Sequence, residues 1–345
     1  MIVISFTRQK REGIKSYILE KIVDNQKDLI QKTASAFQIS ENTVYRYLRE
    51  LKKDNIITKA HGQYVLIGKT DLITLTKDDV GDNSEDIVFQ RYIDPLISDL
   101  QENVYNMWYY CFTEMFNNVI DHSSFSKVDI YINKNFAETS IIISDDGVGI
   151  FNKIQSYYHF PTIDDAILEL FKGKLTTDST NHSGEGIFFT SRIMDTFAAI
   201  SDDKVFSHTE YEELLQDLSN LTKLKSEKAY KSGTTILMIL ANSSNKTTRE
   251  IMDQFADVDG GFTRTRIPIK NIFPTYPVSR SQAKRLTHRF ESFEEIEMDF
   301  KGVPEIGQGF AHELFVVFQN QHPDIKLIPF NANIDVQRMI NHVLA

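Results

Sequence analysis

Near the amino terminus, apolar residues recur at helical spacing in three successive sets. Ile14, Tyr17, Ile18 and Ile22 form the first, Ile30, Ala34 and Phe37 the second, and Val44, Leu48 and Leu51 the third. Residues three and four apart share a helix face, so three short amphipathic helices are predicted. A tight turn at 38–40 separates the last two, with Ser40 placed to cap the third. The stretch IITKAHGQYVLI then reads as two strands about a turn at His61 and Gly62.

Further along, DLITLTK (71–77) predicts a strand, 84–100 a helix interrupted near Pro95, and 103–123 a long helix. KVDIYINKN and ETSIIISDD alternate as neighbouring strands. HSGEGIFFTSRIMDTF (182–197) opens an apolar helix at Gly184 and Gly186, and SGTTILMIL (232–240) is a buried strand. Between them, 208–231 is charged and helix-prone, with a stripe of Tyr211, Leu214, Leu215, Leu218 and Leu221. It reads as an insertion on the edge of the domain or as a partner surface. Toward the carboxy terminus, strands in RTRIPIKNIF, EEIEMDFKGV and DIKLIPFNA alternate with helices in SRSQAKRLTHRFESF, GQGFAHELFVVFQNQH and IDVQRMINHVLA. That alternation predicts a mixed sheet covered by helices. The chain is therefore expected to be α+β and multidomain, with units at 1–68, 69–245 and 260–345.

Composition sets limits on these readings. The 345 residues, 41% hydrophobic and 25% charged, are those of a soluble globular protein with material for two to three cores. One cysteine, Cys111, excludes an internal disulfide framework. The apolar start of MIVISFTRQKR is too short for a signal peptide, and no run approaches the roughly 18 residues of a membrane span. A cytoplasmic protein with no membrane partner is expected. Charge is uneven: residues 1–67 carry a net +5 and the remainder a net −15. A basic end on an acidic body suits a polyanionic partner at that end.

The candidate chemistry lies in the middle. In EMFNNVIDH, Glu114, Asn118 and His122 fall four apart, one polar stripe on an otherwise apolar helix. Asp145 ends a strand and runs into Gly147 and Gly149, which let a backbone turn sharply against a ligand. Gly184 and Gly186 open a helix, a natural phosphate cradle. The preceding stretch 172–183 is polar and small-residued, the composition of a lid.

Three resemblances follow from these residues. SENTVYRYLRELKKDNIITK resembles the recognition helix and wing of bacterial winged helix-turn-helix regulators. That implies binding of double-stranded DNA, with Asn42, Thr43 and Tyr45 near base edges and Arg46, Arg49, Lys52 and Lys53 near phosphates. A protein-contact or dimerisation module is the alternative. The order EMFNNVIDHS, DDGVGI, SGEGIFF, SGTT resembles the ATP-binding domain of the GHKL superfamily (HATPase_c), and within it the anti-sigma-factor kinases. This implies an α/β sandwich, a mixed sheet with helices on one face, that binds ATP and Mg²⁺. By that resemblance, Asp145 binds the adenine amino group and Gly147 and Gly149 admit the base. Asn118 ligates Mg²⁺, Glu114 activates the attacking group, and Gly184 and Gly186 cradle phosphates. Thr235 supports Asp145 by hydrogen bonding, and His122 fits the pattern without an assigned role. The reaction is ATP hydrolysis serving regulation, with a serine/threonine kinase or a nucleotide-gated scaffold as alternatives. Lastly, MDFKGVPEIGQGFAHELF resembles STAS domains, implying a protein partner. It carries Ile306-Gly307-Gln308-Gly309 where anti-anti-sigma factors have a phosphorylatable serine. The helix face of Arg280, Lys284, Arg285 and Arg289 is either solvated or a contact to nucleotide or nucleic acid. A homodimer is compatible with all of this.

Overall fold

The computed structural model describes residues 6–23, 27–60, 62–81, 84–175, 184–209, 232–273 and 275–345. Among these residues, three sheets of two, six and three strands organise the chain.

Helices α1 (Arg8–Val23), α2 (Leu29–Phe37) and α3 (Glu41–Lys53) close around Ile14, Ile18, Ile22, Val44, Leu48 and Leu51, joined by Leu29 and Tyr47. Gln38 adopts φ 51°, and Ile39 N bonds Ala34 O at 3.0 Å, which reverses the chain between α2 and α3. Ser40 Oγ then accepts from Thr43 N at 3.3 Å and caps α3 as expected. Strands β1 (Ile57–Ala60) and β2 (Gln63–Leu66) pair antiparallel. His61 of the expected turn lies outside the described residues.

The junction to the next unit is short. Ile67 N still bonds Ile56 O at 2.9 Å within the wing. Gly68 already lies on the Asn133 side chain so closely that a Cβ would overlap it. The next residue opens β3 (Lys69–Thr76).

The six-stranded sheet adds β4 (Lys127–Lys134), β5 (Glu138–Asp145), β6 (Thr196–Ser201), β7 (Lys204–Ser207) and β8 (Thr235–Ala241), in the order β3-β4-β5-β8-β6-β7. Every pairing is antiparallel, so the expected mixed sheet is corrected. One cross-strand row, Ile73-Ile130-Ile143-Ile236-Ala199-Phe206, faces the helices. Those helices include α4 (Glu102–Asn118), α5 (Ile150–Tyr158), α6 (Ile163–Lys172) and α7 (Gly186–Ile193). The predicted helix over 84–100 is broken into Glu85–Val88, a π-helical Phe89–Ile93 and Asp94–Ile97, with Pro95 opening the last piece.

Strands β6 and β7 were not anticipated, and the helix expected over 182–197 ends at Ile193. Thr196 to Ala199 are buried on both faces, so the apolar/polar alternation of a strand is missing from the sequence there. Of the expected lid, Lys172 is the last residue of α6, and 176–183 lie outside the described residues. So do 210–231 of the expected insertion.

The carboxy-terminal strands β9 (Arg264–Pro268), β10 (Glu295–Asp299) and β11 (Lys326–Phe330) pair in the order β11-β10-β9. Both pairings are parallel rather than mixed. Helical crossovers separate the strands, among them α8 (Arg280–Thr287), and a crossover returns the chain in the same direction. Helix α9 (Ile334–Leu344) closes the fold. Most buried apolar residues of the six-stranded and three-stranded units form one continuous cluster, with Ala198, Leu237 and Ile239 in a small separate one. Phe262 links them, 4.6 Å from Phe188 and 5.6 Å from Phe293 between ring centres.

Candidate functional site

Three separated sequence elements meet at one cavity of about 220 Å³. Glu114 and Asn118 come from α4, Asp145 and Gly149 from the end of β5 and the turn after it, and Gly184 and Gly186 from the start of α7. His122 also lines the cavity, but from a different backbone than expected. Helix α4 gives way after Asn118 to a π-helical turn, Val119–Ser123, so the four-residue stripe does not continue as ideal α-helix. Such turns are frequent at functional sites.

The geometry within the cavity is closely set. Asn118 Nδ2 donates to Glu114 O at 2.9 Å, which fixes the amide and leaves Oδ1 as its acceptor end. A Cβ at Gly186 would overlap Glu114 Oε2 as it is placed, so glycine lets the start of α7 lie directly against that carboxylate. Gly149 and Gly184 sit at φ 79° and 73°, backbone that other residues rarely adopt. Asp145 is 3% exposed, and burial raises its carboxyl above the ordinary range against the opposing hydrogen bonds from Gly147 and Thr234. Gly147 N donates to Asp145 Oδ1 at 2.8 Å.

Two expected members stand apart from the cavity wall. Gly147 packs on Ser123 O instead of lining the space. Thr235 is also displaced: its hydroxyl pairs with Ser144 Oγ at 2.7 Å, not with Asp145. Its neighbour Thr234 lines the cavity, accepts Asp145 N at 2.9 Å through its carbonyl, and takes Ile150 N at 2.9 Å on its hydroxyl. Alternating residues of a strand point to opposite faces, so a one-residue offset exchanges the two threonines. The sequence reading also missed Lys153, which lines the cavity between Ile150 and Ile154 on α5. Spacing of i, i+3 and i+4 on one helix face was the available signal.

The fit to a nucleotide and Mg²⁺ rests on this donor set. No group of three or more His, Cys, Asp or Glu that could hold a metal occurs among the described residues. Mg²⁺ held between phosphates keeps several waters and needs few protein oxygens, and Asn118 Oδ1 is an oxygen that could serve as one of them.

Behind the cavity, α6 is joined to α8 by a buried ionic cluster. Glu169, 2% exposed, takes Lys172 Nζ at 2.6 Å, His288 Nδ1 at 3.1 Å and Arg289 Nη1 at 3.2 Å. Lys172 Nζ also donates to His288 O at 2.6 Å, and Lys174 Nζ to Ser292 O at 2.7 Å. Arg285 Nε donates to Asp165 Oδ1 at 2.7 Å, and Lys284 faces Glu313 at 3.8 Å. Arg280, Lys284 and Arg285 stay exposed, as the solvated reading expects, while Arg285 also meets Asp165 and Arg289 meets Glu169.

On α3, Asn42, Tyr45, Arg46, Arg49, Lys52 and Lys53 are exposed. Thr43 is half-buried, engaged with Ser40 through both its N–H and its hydroxyl. Residues 15–70 match the DeoR-like helix-turn-helix domain, and residues 282–337 match a STAS-like domain of unknown function (DUF4325). The chain carries both domains. Neither match reaches residues 71–281, and no curated protein matches the chain.

The helix-turn-helix domain supports DNA-binding transcription regulation, with α3 in the position of the recognition helix. His288 and Arg289, which hold Glu169, belong to the STAS-like domain. No helix among the described residues is long and apolar enough to cross a membrane.

Proposed function

We propose that the chain is an ATP-binding, slowly hydrolysing regulator that couples nucleotide state to DNA binding by its helix-turn-helix domain. The observation that carries this reading is the convergence of Glu114, Asn118, Asp145, Gly184 and Gly186 on one cavity. A buried carboxylate at one end suits an adenine amino group. Glycine backbone at the other end suits phosphates. Asn118 would hold Mg²⁺ together with the phosphates, and the metal when bound neutralises their charge. Glu114, one helical turn away, would orient or deprotonate the attacking water. The STAS-like domain is the expected seat of a protein partner.

Coupling has a physical route. Strand β3, the edge of the sheet that carries Asp145, follows the wing after only Ile67 and Gly68. Nucleotide shifts DNA affinity only by its preference for one arrangement of these units.

The test is calorimetric titration of the chain with a non-hydrolysable ATP analogue and Mg²⁺. Binding is expected for the wild type, loss for Asp145→Asn, and retained binding without phosphate release from ATP for Glu114→Ala. A wild-type chain that binds no nucleotide, or an Asp145→Asn chain that binds equally well, sinks the proposal.

A further inference from the structure

The residues that line the cavity carry an imbalance of charge. Glu114, Asp145 and Glu185 bring three carboxylates to it, while Lys153 is the one lysine or arginine among its described lining residues. Among the described lining residues, a polyphosphate entering this cavity meets one lysine.

Lys153 is placed and not merely present. It lies on α5 with Ile150 and Ile154 beside it in the cavity wall. Its Nζ donates to His122 O at 2.7 Å, which stations the ammonium at the far end of the π-helical turn. Burial lowers its pKa, partly offset by Asp121. The cavity also has a direction. Glu114 is the end beside Gly186, and Ser123, next to His122, is the end beside Gly147 and Asp145. Glu114 and His122 are eight residues apart, about 12 Å at the ordinary helical rise. The ammonium therefore sits one turn beyond Asn118, on the side of the base.

We propose that Lys153 is a ligand-binding residue that contacts the phosphate nearest the sugar of a bound adenine nucleotide. This rests on the nucleotide reading above and adds a residue and a position to it. Ile150 and Ile154 flank it in the cavity wall, Lys153 itself is half-buried, and a charge-assisted hydrogen bond to phosphate is the stronger kind. A purely structural role, tethering α5 to the His122 carbonyl, is the competing account.

The two accounts part on ligands that differ only in phosphate. Affinities of the full chain for adenosine, AMP, ADP and a non-hydrolysable ATP analogue are measured for the wild type, Lys153→Met and Lys153→Gln. Lys153→Met is expected to weaken AMP, ADP and the ATP analogue alike, by about 10- to 100-fold, and to leave adenosine unchanged. Lys153→Gln keeps a donor for His122 O but no charge, and is expected to lose the same nucleotide affinity. Equal loss for adenosine, recovery of nucleotide affinity in Lys153→Gln, or no loss in either variant overturns the proposal. A loss confined to the ATP analogue overturns the position assigned to the ammonium. If the wild type binds none of these ligands, the nucleotide reading itself falls, an outcome separate from any behaviour of the variants.

Discussion

Removing the Glu169 carboxylate should destabilise the union of the middle unit with the STAS-like domain. In Glu169→Ala, Lys172 keeps the His288 carbonyl at 2.6 Å and the Phe290 ring at 5.4 Å, while Arg289 and His288 lose their carboxylate at 3.2 and 3.1 Å. The side chains of Glu169 and Lys172 are 3% and 1% exposed, so water cannot replace the lost partner. Breaking a buried pair from one side costs about 3–5 kcal/mol. Burial already lowers Lys172 to a pKa of about 8, with Glu169 pulling the other way. Without Glu169 the ammonium sheds its proton readily, which holds the cost near 3 kcal/mol. At an m-value of about 2 kcal/mol/M, the urea midpoint should fall by roughly 1.5 M. The single tryptophan, Trp108, is fully buried on α4 and reports the transition by fluorescence. The double variant Glu169→Leu/Lys172→Met removes both charges and should recover most of the loss. An unchanged midpoint in Glu169→Ala would refute the reasoning, because the cluster would then not be desolvated in solution.

The same lysine predicts a pH dependence. Below pH 8 Lys172 is protonated in both states and its burial penalty is in force; between pH 8 and 10.5 the unfolded chain holds the proton that the folded chain sheds. Stability of the wild type relative to Lys172→Met should therefore rise across that window by about 3 kcal/mol, and a flat difference would count against the burial of the ammonium. Arg46→Ala with Arg49→Ala should weaken DNA binding and reduce the slope of log affinity against log salt by about 2; an unchanged slope would mean that neither guanidinium meets a phosphate. Ser40→Ala removes the cap of α3, worth about 1 kcal/mol, so amide exchange over its first turn should quicken about fivefold by mass spectrometry. Burial pushes the Cys111 thiol well above its usual range, so iodoacetamide should label it only after unfolding.

Local signals were legible where one side chain determines one backbone feature. Ser40 capping α3, the buried stripe of Val44, Leu48 and Leu51, and the two strands that lead to Asp145 are of this kind. Long-range register was not. That Thr234 and not Thr235 meets Asp145 depends on how β8 aligns with β5, with Thr235 opposite Ser144. A single sequence does not state that alignment. Strand β6 escaped because burial on both faces of the sheet erases alternation, and β7 because it is only four residues long. The cluster at Glu169 escaped for a different reason. Its partners His288 and Arg289 lie about 120 residues away, and a basic helix face gives no sign of which carboxylate it will meet.

The junction at Ile67 and Gly68 limits how this chain can change in length. Ile67 belongs to the wing by its hydrogen bond, and Gly68 is pressed against Asn133. One residue inserted here has no loop to absorb it and would have to be taken up by β3. That shift would exchange the faces of the whole strand, sending Leu75 and Ile73 outward and Leu72, now 62% exposed, inward. The spacing between α3 and the six-stranded sheet is consequently quantised in steps of two residues. Variants with longer or shorter connections should be found functional at even increments and unfolded at odd ones.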